Sequence, residues 1–159
     1  MRPHEWLDFA PADRGACFLS DDPATPNEFV TYAELAASGR QAAGLLGHYD
    51  IRPGDMVCIL IPDLRDFLVA LFGVLAAGAT AVPLTPTPSL PSPGDIRRLA
   101  ECIRPTRPAV ILTAPGLRDH GVTADELAGI CTIVADFTAA IASEPFEEDP
   151  FPQTCRRGA

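Results

Sequence analysis

The sequence contains no lysine: all twelve of its basic residues are arginine. A Schiff-base lysine or a P-loop lysine therefore cannot operate within it. Positive charge is scarce overall. Twenty-one Asp and Glu against twelve Arg leave a net charge of −9. The basic footprint that a phosphate backbone requires is missing, so no nucleic acid is expected as a partner. Five cysteines (17, 58, 102, 131 and 155) are scattered, with no C-x-x-C and no Cys/His cluster at ligand spacing. Metal ligands are accordingly expected to be none. Cys58 and Cys131 fall in or beside apolar runs and Cys102 in a helical stretch, which reads as buried free thiols in a reducing compartment and a cytoplasmic location.

Catalytic constellations are absent too. His4, His48 and His120 are isolated, with no nucleophile or carboxylate placed beside them, and read as surface residues. No Ser-His-Asp, Cys-His or paired-carboxylate spacing occurs, and no Gly-rich anion loop joins a strand to a helix. Asp21-Asp22 and Glu147-Glu148-Asp149 are carboxylate runs in turn-like and tail-like stretches, where charge is ordinarily solvated. The charged N-terminus lacks the apolar core of a signal peptide. Phe67–Leu84 is an uncharged run of eighteen residues, close to a membrane span in length. Gly73, Gly78 and Pro83 interrupt it and its period changes midway, so no membrane span is expected.

What is present is an alternation of apolar runs and helical repeats. The chain is 47% hydrophobic, and its 159 residues make about one domain. Met56-Val57-Cys58-Ile59-Leu60-Ile61 is a strand-like run closed by Pro62. Asp63 is placed to cap a helix whose apolar positions 64, 67, 68, 71, 72 and 75 keep the helical period. Gly78 suits the left-handed residue after its end, and Ala79–Val82 is a second run. Strand, helix, strand make one right-handed βαβ unit, with strands buried on both faces.

The remainder extends this pattern. Residues 1–15 form a lead-in that Trp6, Leu7 and Phe9 could tack onto the body. Ala16–Leu19 and Phe29-Val30 predict a short N-terminal β-hairpin around a polar turn. Thr31-Tyr32-Ala33-Glu34 is a capping box opening a helix over 32–48, with Leu35, Ala42, Leu46 and Tyr49 on one face. Gly39 and Gly44 weaken that helix, and close packing on a neighbour is the expected reason. Arg52-Pro53-Gly54-Asp55 is a turn. Thr85–Pro93, with four prolines, reads as an extended connector, or alternatively a proline-recognition ligand. Asp95 is expected to cap a helix over 96–104 that Pro105 and Pro108 end. A strand over 109–113 follows, then a capping box at Thr123–Glu126, a strand over 132–135 and a helical turn over 137–142. Residues 16–142 thus predict an α/β fold: a parallel sheet with flanking helices, plus the hairpin. Residues 143–159, acidic and proline-rich, read as a disordered tail.

Four stretches together resemble the N-terminal part of the adenylate-forming superfamily, which includes acyl-CoA synthetases and fatty acyl-AMP ligases. They are Phe29–Leu35, Ile51–Val57, Phe67–Pro83 centred on Gly73-Val74-Leu75-Ala76-Ala77-Gly78-Ala79, and Arg107–Thr113. The Phe18–Asp22 turn and the proline-rich segment after Val82-Pro83 resemble the fatty acyl-AMP ligase branch most closely. The resemblance covers about residues 16–150. It implies the first subdomain of a larger AMP-dependent synthetase/ligase in lipid or polyketide metabolism, with ATP and Mg²⁺ in the full-length family.

The family's phosphate loop, which ends in a lysine, is expected just after the acidic segment. Gln153-Thr154 resembles its opening and is the only candidate nucleotide-binding remnant; Cys155-Arg156-Arg157-Gly158-Ala159 departs from it. The motif that holds the ribose, the hinge and the C-terminal catalytic lysine are not matched, so no catalytic residue carries over. Lysine-dependent adenylation is excluded within this chain. The resemblance implies a truncated or split enzyme, a pseudoenzyme when alone and with no cofactor of its own, acting with a partner chain. An apolar face, above all the nearly all-round apolar 64–77 helix, implies a protein partner or a homo-oligomer. Two other readings stand beside it. One is a non-catalytic interaction protein pairing with a full-length relative. The other is a small ligand-binding module using the strand ends near Pro62, Thr85 and Thr113.

Overall fold

A computed structural model describes residues 3–20, 22–84, 93–114, 132–134, 137 and 140–141. The chain opens with a 3-10 helix, Pro3–Phe9, and a hairpin of β1 (Gly15–Phe18) and β2 (Glu28–Thr31), paired antiparallel with Ala16 opposite Val30. Then come α1 (Tyr32–His48), β3 (Met56–Leu60), α2 (Leu64–Ala76), β4 (Thr80–Pro83), α3 (Pro93–Ile103), β5 (Val110–Thr113) and β6 (Thr132–Val134). Strands β4-β3-β5-β6 form one sheet in that order, and every neighbouring pair is parallel. The α/β architecture predicted from the apolar alternation is the one observed.

Because strand side chains alternate between faces, the two faces of the sheet build two cores. Val57, Ile59, Val110 and Leu112 belong to a large cluster with α1, α2, the hairpin and Leu7. Cys58, Leu60 and Ile111 face the other way, with Ala100 and Ile103 of α3. Helices therefore cover both faces, as a parallel sheet requires. Phe137, beyond β6, is fully buried in the larger cluster, and Ile141 joins it.

Local signals set the element ends. Thr31 Oγ1 accepts the Glu34 amide at 3.2 Å, and the Glu34 carboxylate accepts the Thr31 amide at 2.8 Å, closing the capping box of α1. These bonds, first from the Thr31 backbone and then from its hydroxyl, hold the Glu34 carboxyl below the ordinary carboxylate value. Helix α2 ends in a Schellman motif: the Ala79 amide donates to Val74 O at 3.0 Å and the Gly78 amide to Leu75 O at 3.1 Å, with Gly78 at φ +73°. In the Arg52–Asp55 turn Gly54 sits at φ +92°, and its amide donates to Gly78 O at 2.9 Å. The two left-handed glycines thus tie the entrance of β3 to the entrance of β4.

The structure corrects several expectations. The lead-in contains a 3-10 helix that Leu7, in the core, and Trp6, against Tyr32 with ring centres 5.6 Å apart, tack onto the body, but Phe9 is exposed and does not. Tyr49 leaves the buried face of α1, because it is the C-cap residue and no longer follows the helical period. Gly39 does face a neighbour, since an added Cβ would lie 3.1 Å from Phe72 Cβ, but Gly44 meets nothing within 4 Å. Close packing explains the first glycine and not the second. Helix α3 begins at Pro93, so Asp95 falls inside its first turn rather than ahead of it. A proline at a helix start loses nothing, because its missing N–H would have been unpaired anyway. Among the described cysteines only Cys58 is buried; Cys17 and Cys102 are exposed. The Thr123–Glu126 capping box, the acidic tail and most of the 85–93 connector lie outside the described residues.

Candidate functional site

In an open parallel sheet the strand carboxyl ends are where a ligand would be held. Here β3 and β5 end side by side, with Leu60 paired to Thr113, and β4 ends beside them with Ile59 paired to Pro83. Of the three positions singled out at this edge, Pro62 is exposed and Thr113 is buried, while Thr85 lies outside the described residues. Gln153 and Thr154 also lie outside them.

The chemistry of this edge follows from the β3–α2 turn. A helix amino end after a buried strand is the natural cradle for a phosphate. Asp63 occupies it: Oδ1 accepts the Asp66 amide at 2.9 Å, which places one carboxylate at the helix start and a second, Asp66, in its first turn. Both carboxylates suit the positive end of the helix dipole, and both oppose a polyanion. The nearest cation, Arg65, turns away to Glu28 of β2 at 3.4 Å. The described residues of the β3–α2 turn therefore do not fit a nucleotide triphosphate, and no chemical step is assigned to them.

Other site chemistry is sparse. Among the described residues no group of three or more His, Cys, Asp or Glu side chains converges as a metal site would require. His48 is exposed at the end of α1. The Cys58 thiol is pushed up by burial, an effect opposed by a hydrogen bond with Thr106. A raised thiol is a poor nucleophile. No helix among the described residues is long and apolar enough to cross a membrane; the uncharged 67–84 run is divided between α2 and β4. The apolar surface of α2 is narrower than its composition implies. Phe67, Leu71, Phe72 and Ala76 pack against the core, leaving Leu64 exposed and Leu68 and Leu75 half-buried outside both clusters.

Ala100, Glu101, Arg104, Pro105 and Arg107 line an open surface pocket of about 510 Å³ where α3 gives way to a 3-10 turn, Arg104–Thr106. In the sequence this stretch is a helix stop at Pro105 and Pro108, with Arg107 opening one of the four family-like stretches. The signal for more was the repeated Arg-Pro of Arg104-Pro105-Thr106-Arg107-Pro108.

Comparison with known proteins adds what the geometry leaves open. Residues 9–156 match the family described as AMP-binding enzyme. The long-chain-fatty-acid–AMP ligase FadD32 of Mycolicibacterium smegmatis is 40% identical over 96 residues, covering 60% of this chain and 14% of that protein. The 4-hydroxyphenylalkanoate adenylyltransferase of Mycobacterium tuberculosis is 34% identical over 102 residues, covering 64% of this chain and 16% of that protein. The fold aligns with O-succinylbenzoate coenzyme A synthetase of Bacillus subtilis in complex with AMP at a TM-score of 0.69 and 21% identity, over 91% of this chain and 33% of that one. The chain thus spans about a seventh of the length of the first of these relatives and a third of the structural neighbour.

Proposed function

This chain belongs to the AMP-binding enzyme family, and from that membership we propose that it is the first α/β portion of a fatty acyl-AMP ligase-like protein, contributing to acyl activation together with a partner chain and inactive by itself. The similarity to FadD32 and to the mycobacterial adenylyltransferase supports the acyl-adenylating branch. The observation that carries the inactivity is the occupied amino end of α2. Asp63 and Asp66 fill the helix start that directly follows β3, where a phosphate would sit, and no lysine exists in the sequence to offset them.

Acyl adenylation needs donors around the phosphates and charge neutralisation at the transferring phosphorus. Losing one preorganised donor costs about 10²–10³ in rate. The lack of any lysine, with no phosphate cradle among the described residues, should leave no measurable rate. The test is ATP–pyrophosphate exchange by the purified chain over fatty, aryl and amino acids. Substrate-dependent exchange that survives Arg156→Gln and Arg157→Gln and is not contamination would sink the reading. Exchange that appears only on adding a second protein supports completion by a partner.

A second reading, a non-catalytic interaction protein, is favoured by Leu64, Leu68 and Leu75 on the outer side of α2. These three follow helical spacing and form one apolar stripe, which a second protein chain would cover. In either reading the protein works in the cytoplasm, where the exposed thiols of Cys17 and Cys102 stay reduced.

A further inference from the structure

We propose that the Arg104–Arg107 cavity is an anion site that binds a phosphate monoester of a small molecule. It lies at the amino end of β5, the opposite edge of the sheet from the strand carboxyl ends.

Three observations carry this. First, Arg104 and Arg107 line the same cavity of about 510 Å³, and neither guanidinium has a carboxylate partner among the described residues. Second, the backbone that carries them is rigid. Pro105 and Pro108 fix φ on either side. Thr106 Oγ1 donates to Ile103 O at 2.7 Å, and the Arg107 amide donates to Arg104 O at 3.3 Å. Arg107 is held in the left-handed region at φ 46°, ψ 57°, a conformation a non-glycine residue adopts at some cost. A ligand therefore meets a pre-ordered backbone, which lowers the entropy lost on binding. Third, the ligand class follows from the donors. Two guanidinium forks match the oxygens of a phosphate dianion better than a single carboxylate.

Glu101 lines the same cavity and opposes any anion. That opposition makes the proposal separable from general charge attraction. Binding of inorganic phosphate, with acetate as the carboxylate comparison, is measured on the full chain by titration calorimetry and amide chemical shifts at low ionic strength. Arg104→Gln and Arg107→Gln should each weaken phosphate by roughly tenfold. Glu101→Gln should tighten it by roughly threefold. Arg14→Gln, the same charge change on the hairpin side, should leave it unchanged. All four positions are exposed, so circular dichroism should show the native fold throughout. The proposal is overturned if Arg14→Gln weakens binding as much as Arg104→Gln, if Glu101→Gln weakens it, if acetate binds as tightly as phosphate, or if phosphate does not saturate below about 10 mM, where the free energy of binding is already slight.

Discussion

A side chain on Gly73 of α2 would overlap the Cβ of Ala42 on α1, and its Cβ would also stand 3.2 Å from the Ala42 carbonyl carbon. The two helices cross where this glycine removes the obstacle, with Gly39 against Phe72 one turn away. Gly73→Ala must push α2 off α1, and overpacking of this kind costs about 1–3 kcal/mol, against a helix-propensity gain of about 1 kcal/mol. A lower midpoint of thermal unfolding is expected. Gly44→Ala, which meets nothing within 4 Å, should instead stabilise the chain by about 0.4–1 kcal/mol. A fall on Gly44→Ala, or no change on Gly73→Ala, would contradict the crossing as described.

The capping box predicts an acid response. Thr31→Ala should destabilise α1 by about 1 kcal/mol. Glu34 has a folded-state value below its ordinary one, so its contribution is present above the ordinary carboxylate value and lost as pH falls through the depressed one. Urea melts from pH 7 downward should therefore show a steeper acid loss for the wild type than for Glu34→Gln. Parallel curves would disprove the assignment.

Thiol accessibility should divide the cysteines sharply. Cys17 and Cys102 should react with a maleimide at neutral pH, whereas Cys58 reacts only on unfolding. Because burial raises the Cys58 value, the folded state holds its proton longer. The associated stability is full below the ordinary thiol value and declines as pH rises through and above it. Peptide mapping by mass spectrometry after brief labelling reads the first point. Prompt modification of Cys58 would show that the sheet is open there.

The outer stripe of α2 predicts association. Light scattering at tens of micromolar should show species larger than a monomer, and Leu64→Glu with Leu68→Glu should reduce them without unfolding the chain, since neither residue belongs to a core cluster. A strictly monomeric wild type would remove the basis for a partner on this face.

The sequence alone determined the order of elements, because the signals are local. Thr31-Tyr32-Ala33-Glu34 closes a capping box, Gly78 ends α2, and the apolar runs at 56–61, 109–113 and 132–135 each give a parallel strand. The family was also legible, because the four stretches that carry it lie within 29–113. Tertiary structure decided what spacing cannot show. Gly39 and Gly44 look alike in one helix, yet only Gly39 faces α2, since the crossing point depends on how two helices meet. Leu7 and Phe9 look alike in the lead-in, yet Leu7 is buried and Phe9 is not, because the 3-10 period sets which side faces the core. Arg104 and Arg107 flank the helix stop at Pro105, and Arg107 opens the last of the family-like stretches. They share a cavity only because the left-handed turn between α3 and β5 places them there, and backbone direction at a non-glycine residue is set by the packing around it.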